Sequence, residues 1–267
     1  MKLDHSKLYQ MPHIMGPIYD KEALPKIPYP EIENFAIQFQ TDPDAARALV
    51  PDCYEIDKKP IVTVVFGYYK GLDFLAGGGY NIATAQISAR FDGEKDHVDG
   101  DYILIMFENK TMPILGGRDF LGVPKLYADI PAAELLPNGN LECKASLWGH
   151  HLFSIEFPPL KKQNSIVRTV ASKRINSRPW LAYKYVPSLD GHPDADYPTI
   201  TRNDIKIDNL WMGNSASLQF GHATTNDLSY TANVISALKT LPILKVEQVL
   251  RFNGSAVLRF DQSHGLK

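Results

Sequence analysis

Cysteine is scarce in this chain: Cys53 and Cys143 are the only two among 267 residues, and they share no C-x-x-C spacing. Two thiols so placed make neither a disulfide framework nor a thiolate zinc site. No stretch reaches the roughly 18 consecutive apolar residues of a membrane-spanning helix. The opening MKLDHSKLYQMPHIMG lacks the apolar h-region of a signal peptide, so the expected compartment is the cytoplasm. The formal net charge is -2, with a pI near 6.4, and charges of both signs read as interspersed. Neither nucleic acid nor an anionic membrane is therefore expected as a partner. The eight histidines fall into no H-x-x-x-H or H-E-x-x-H pattern. His150 and His151 would point to opposite faces of a strand, so no metal is expected. AGGGY, at 76–80, lacks both a Walker lysine and the G-x-G-x-x-G spacing, and reads as a hairpin or loop. No G-x-S-x-G elbow occurs, which leaves a hydrolase serine unsupported.

What the chain does have is an ordinary apolar content of 44% with 22% charged residues, enough for a sizeable core. Its length suits one all-β domain, expected over 1–267, with the proline-rich residues 1–33 as an extended N-terminal arm. The 19 prolines and 18 glycines are scattered as punctuation between short segments. PIVTVVFGYY, NIATAQISARFDG and GDYILIMFEN carry the β-branched, aromatic and apolar runs of strands. VEQVLRFNGSAVLRFD predicts a hairpin closed at Asn253-Gly254. TDPDAARALVPD predicts a short helix capped by Thr41 or Asp42. One longer helix is expected in TTNDLSYTANVISALKTLP, where Val234, Leu238 and Leu241 recur at helical spacing. The expected class is mainly β (α+β), a barrel or strongly curved sheet with a few flanking helices.

One position does not fit this plain picture. In GGRDFLGVPKLYADI, residues 116–130, Lys125 follows a proline among small, aliphatic and aromatic residues. Taken alone, a lysine more often snorkels to water. Held out of water, its ammonium form is disfavoured, and the resulting free amine attacks a ketone to form an imine.

The residues around Lys125 carry a resemblance. Gly117-Arg118-Asp119, four residues, then Pro124-Lys125 resembles the G-R-[DE]-x4-P-K motif of the acetoacetate decarboxylase superfamily. TDPDAARALVPDCYEID, GDYILIMFEN, KYVPSLDGHP and WMGNSASLQF are similar, in order, to further segments of that family, so the likeness spans roughly residues 15 to 260. The resemblance implies a cone-shaped antiparallel β-barrel of the acetoacetate decarboxylase type, a homo-oligomer of four or more copies, and no cofactor. It implies that Lys125 forms a Schiff base with a small-molecule keto acid or ketone at the bottom of an apolar cone.

The chain also departs from the family pattern. A second lysine follows the nucleophile in the prototype decarboxylases; here that position is Leu126. The family's N-terminal arginine falls on Ile32, flanked by Glu31 and Glu33, and its two pocket glutamates fall on Val65 and near Ile82. The imine that serves as electron sink is kept, while the groups that position a departing carboxylate are not. Aldolase-dehydratase or hydratase chemistry therefore stands open beside decarboxylation. Tyr80, Asn81 and Glu108 are the candidates for pocket or proton-transfer roles, although Glu108, at a strand end, reads first as an edge carboxylate. Arg118 reads as support, its five donors suited to tying loop carbonyls near Lys125. The alternative is a non-catalytic β-barrel that binds a small apolar carbonyl ligand.

Overall fold

The computed structural model of the chain describes residues 6–8, 11 and 15–267. Parts of the expected N-terminal arm (1–5, 9–10 and 12–14) lie outside the described residues. The arm is shorter than 33 residues, because Lys26 already opens a barrel strand.

Seven strands close a barrel. We label as β1 Lys26–Gln40, β2 Ile61–Leu72, β3 Gly78–Asp92, β4 His97–Glu108 and β5 Lys125–Tyr127. β6 is Leu141–Leu147, β7 His150–Phe157, β8 Trp180–Val186, β9 Ala195–Gly213, β10 Ser217–Phe220 and β11 Lys245–Gly265. The ring runs β3-β2-β1-β11-β9-β8-β4 and returns to β3 through the β3–β4 pairing. It is antiparallel except between β4 and β8, which run parallel, with Trp180 opposite Asp101. β5 pairs with Met106–Glu108 of β4, beyond the stretch that β8 occupies, and is also parallel. β6, β7 and β10, with the short strand Glu134–Leu135, form a second sheet.

The barrel strands carry two working faces, because side chains alternate along a strand. Outward-facing Phe35, Phe66 and Phe107 meet Phe157 and Phe153 of the second sheet, with ring centroids 5.6, 5.3 and 6.0 Å apart for the pairs Phe35–Phe157, Phe66–Phe153 and Phe107–Phe153. This is the centre of the main core, and most of its members are fully buried. Inward-facing residues of the same strands, such as Asn34, Ala36 and Val65, line a cavity instead.

Among the described residues four α-helices flank the strands. α1 (Pro43–Arg47) is capped by Asp42, whose carboxylate accepts from the Asp44 and Ala45 amides. α2 (Thr111–Gly116) follows β4. α3 (Ser165–Asn176) starts at Asn164, whose side chain accepts from Val167 N. α4 (Thr231–Lys239) buries Ala232, Ile235 and Leu238 against the main core, with Val234 partly buried beside them.

Two expectations are corrected here. Asn253-Gly254 closes no hairpin: β11 runs unbroken for 21 residues, pairing with β9 on one side and β1 on the other. Gly254 sits at a bulge in that strand, where an added Cβ would lie 1.9 Å from the Lys206 carbonyl oxygen. α3 was not foreseen, because its Ile166, Val167, Thr169 and Val170 are β-branched and it buries no residue fully. The charges are segregated rather than interspersed around it. From 157 to 189 the chain holds Lys161, Lys162, Arg168, Lys173, Arg174, Arg178 and Lys184 with no acidic residue among them. No helix of the described residues is long and apolar enough to cross a membrane.

Candidate active site

The barrel encloses a cavity of about 820 Å³, a size that takes a drug-sized organic molecule. Lys125 lines it, at the first residue of β5 and opposite Met106 of β4. Only 6% of Lys125 is exposed. Its Nζ donates to Glu108 Oε1 at 2.7 Å and to the Pro113 carbonyl oxygen at 3.0 Å.

The segment before Lys125 is shaped around this amine. α2 continues without a break into one π-helical turn, Gly117–Leu121, which contains the Gly-Arg-Asp triplet. Such widened turns recur at functional sites. A Cβ on Gly117 would lie 2.3 Å from Lys125 Cε and 2.6 Å from its Nζ, so the lysine stem occupies the space that any other residue there would fill. Gly122 ends the helix at φ +71°, and a Cβ there would meet Lys184 Cβ at 2.6 Å. Arg118 Nη1 donates to the Lys125 carbonyl oxygen at 2.9 Å, while Asp119 accepts from the Met11 amide at 3.0 Å. Leu126 points the other way, into the main core.

Glu108 is the larger surprise, since a strand-end carboxylate reads as solvent-exposed. It is fully buried, and its Oε2 has no hydrogen-bond partner among the described residues. A bulge sets this direction. Ala85 pairs with Ile105 but Gln86 with Ile103, so Leu104 is an extra residue in β4. One inserted residue keeps Asp101, Met106 and Glu108 on the cavity side, where strict alternation would turn Glu108 outward. Burial pushes the Glu108 carboxyl above its ordinary value, against the opposing pull of Lys125.

Tyr80 lines the cavity, with its hydroxyl 3.0 Å from that of Tyr29. Burial raises both phenols well above their usual range, so both keep their protons. Asn81 is corrected as a pocket candidate. It stands on the opposite face of β3, where its Nδ2 donates to the Ile130 carbonyl at 2.7 Å and its amide donates to Asn109 Oδ1. Ile32, Val65 and Ile82 all line the cavity, so the three positions where the resemblance implies charged groups face it with apolar side chains.

Tyr29, Tyr69 and Asn34 are site residues that sequence reasoning did not single out. Tyr69 donates to Asn34 Oδ1 at 3.2 Å, and its ring meets those of Tyr29 and Tyr80 edge-on. The alternation of β1 and β2 carried the only signal for them. At the other end of the cavity Arg178 pairs with Asp101 at 2.9 Å. Among the described residues no three His, Cys, Asp or Glu side chains converge as a metal site would require.

Comparison with known proteins bears on the same segment. The profile of the family described as Acetoacetate decarboxylase (ADC) matches residues 10–262. The chain belongs to the acetoacetate decarboxylase family. Acetoacetate decarboxylase 1 of Bradyrhizobium diazoefficiens is 26% identical over 247 residues, covering 88% of this chain and 86% of the relative. The acetoacetate decarboxylase of Clostridium acetobutylicum is 28% identical over 218 residues, covering 77% of this chain and 82% of its own. Among solved structures, one from structural studies of acetoacetate decarboxylase superposes with a TM-score of 0.73 at 20% identity, covering 92% of this chain and 91% of that one. An acetoacetate decarboxylase-like enzyme from Sphingomonas wittichii gives 0.69 at 15% identity, covering 92% and 94%. The enduracididine biosynthesis enzyme MppR, in complex with pyruvate, gives 0.68 at 16% identity and covers 97% of each chain. The barrel of this chain is thus the family's fold.

Proposed function

We propose that this member of the acetoacetate decarboxylase family is a lyase that binds a keto acid or ketone as a Schiff base on Lys125. Glu108 carries the protons, and the imine leads to aldol addition, dehydration or hydration rather than to release of carbon dioxide. The observation that carries this reading is the buried pair itself, an amine facing the cavity with a carboxyl oxygen at 2.7 Å.

Burial pushes the Glu108 carboxyl above its ordinary value, toward the carboxylic acid that the reaction uses. The amine form of Lys125 that attacks a carbonyl has two N–H bonds, for which Glu108 Oε1 and the Pro113 carbonyl are the acceptors. The lone pair is then left toward the cavity. It attacks the substrate carbonyl carbon, the C=O π pair moves to oxygen, and a proton moves from nitrogen to that oxygen, giving a neutral carbinolamine. Glu108 protonates the hydroxyl, water leaves, and the iminium stands beside the Glu108 carboxylate. The carboxylate then removes a proton from the neighbouring carbon, which gives the enamine and restores the acid. The enamine adds to an aldehyde while Glu108 protonates the new alkoxide.

Decarboxylation would use the same iminium but needs a site for the departing carboxylate. Ile32, Val65 and Ile82 offer that group neither charge nor hydrogen bond. The fold itself tolerates the broader chemistry: MppR is described in complex with the condensation product of pyruvate and imidazole 4-carboxaldehyde.

Borohydride trapping tests the proposal. Protein is reduced in the presence of acetoacetate, pyruvate or a panel of ketones, and peptides are read by mass spectrometry, with Lys125→Ala as control. A reduced adduct on Lys125 is expected, with little carbon dioxide from acetoacetate. No adduct with any carbonyl compound would leave the chain as a binding barrel.

A further inference from the structure

The lysine end of the cavity contains a second set of polar groups that the amine and its acid do not use. Tyr80 stands one same-face step along β3 from Ile82, and Ile82 is the residue paired with Glu108. That spacing puts the Tyr80 backbone about 7 Å from that of Glu108. Tyr29 and Tyr80 share one hydrogen bond at 3.0 Å. In such a pair one hydroxyl donates and the other accepts, so the accepting hydroxyl keeps a proton for a third partner. Asn34 is buried, lines the cavity and accepts from Tyr69 through Oδ1, which leaves its amide N–H₂ group without an acceptor among the described residues. Gly67 makes room for this arrangement: a Cβ there would lie 2.5 Å from the Tyr69 hydroxyl and 2.8 Å from Asn34 Oδ1.

These groups are donors, and none of them carries a charge. The ionisable groups at this end, Lys125 and Glu108, already face each other and leave no unpaired cation. A carboxylate placed here would lose its hydration with no cation in exchange, whereas a neutral carbonyl oxygen asks only for a donor.

We infer that the Tyr29–Tyr80 hydroxyl pair and the Asn34 amide form a subsite for a second, neutral carbonyl oxygen of the substrate. The site is thereby selective for dicarbonyl compounds or carbonyl pairs over keto acids that carry a carboxylate at that position. This rests on Lys125 as the group that receives the first carbonyl.

Acetylacetone and acetoacetate form a matched pair of probes, since they share a skeleton and differ by a neutral acetyl group against a carboxylate. Calorimetric binding is measured on Lys125→Met, which keeps the volume of the stem and removes covalent capture. Acetylacetone is expected to bind more tightly than acetoacetate. Tyr29→Phe or Tyr80→Phe alone should weaken it by about 3-fold, because the remaining hydroxyl then turns its proton to the ligand. The double variant should weaken it by about 10-fold, the net worth of one lost hydrogen bond. The ratio of the two affinities should fall with it, a change that altered ring packing would not produce. Preference for acetoacetate, no binding of acetylacetone, or a double variant that binds acetylacetone as the parent does would overturn the subsite. Trapping on wild-type Lys125 separates the two readings. Failure to trap with the binding pattern intact removes the Schiff base and keeps the subsite; trapping without the pattern does the reverse.

Discussion

Lys125 Nζ and Glu108 Oε1 lie 2.7 Å apart on neighbouring parallel strands, the lysine 8% exposed by side chain and the glutamate 0%. Met106, two residues before Glu108, is the register partner of Lys125, so acid and amine meet on the diagonal of a strand pair. The pair is thus held by sheet geometry rather than by a loop.

The Glu108 carboxyl is raised by burial in the folded chain, so the native state holds its proton more tightly than the unfolded state does. Stability then falls as pH rises from the ordinary glutamate value through the raised one, since the unfolded chain binds fewer protons across that window. Thermal unfolding of wild type against Glu108→Gln across that range should show a steeper fall in wild type, since buried Asp101, also raised, contributes to both curves. Parallel curves would mean that Glu108 holds no anomalous proton.

Gly117→Ala places a methyl group 2.3 Å from Lys125 Cε. The stem must move, and a shift of about 1 Å at a reacting group costs on the order of 100-fold in rate. Steady-state kinetics should show a loss of that size in kcat, with borohydride capture slowed in parallel. Unchanged kinetics would show that the lysine conformation is not what the glycine serves.

Arg118 is exposed, but its Nη1 holds the Lys125 carbonyl. Arg118→Ala should lower kcat by about 10-fold, corresponding to one hydrogen bond from a charged donor, near 1.5 kcal/mol. The melting temperature should move little, because exposed contacts contribute little to stability. A large melting shift with intact kcat would place the role of Arg118 in folding alone.

Ile32 and Val65 face the cavity from adjacent strands. Ile32→Arg with Val65→Glu puts a cation and a carboxylate where the family pattern has them. The double variant should be less stable, because breaking even with a buried ion pair requires good geometry. It should also release more carbon dioxide from acetoacetate than wild type, measured by gas evolution. No gain would mean that charge at these positions is not what directs the imine toward decarboxylation.

A mainly β chain was legible in the sequence because β-branched and aromatic runs favour a pleated, half-buried surface wherever they occur. The Asn253-Gly254 dipeptide misled for a related reason. Turn chemistry is local, whereas β11 is pinned by partners on both sides, and two ladders outweigh one turn preference. α3 was overlooked because its stripe, Val167, Ala171 and Ile175, is short and only partly buried, while the exposed β-branched Ile166 and Val170 lie beside it and blur the helical period.

By itself the sequence determined the motif from Gly117 to Lys125, because its close fit requires particular residues at particular places: no side chain where the lysine stem passes, and a cation to tie its carbonyl. It also shows Ile32, Val65 and Ile82 where the resemblance implies charged groups. Only the tertiary structure decided which side chains meet that amine. The face on which Glu108 lies depends on one extra residue, Leu104, in the register of β4 against β3, and pairing register is a property of two strands together. The same holds for Tyr29, Asn34, Tyr69 and Tyr80, brought to one end of one cavity by strands that close a ring. Alternation tells which residues share a face; closure of the barrel decides which face is the inside.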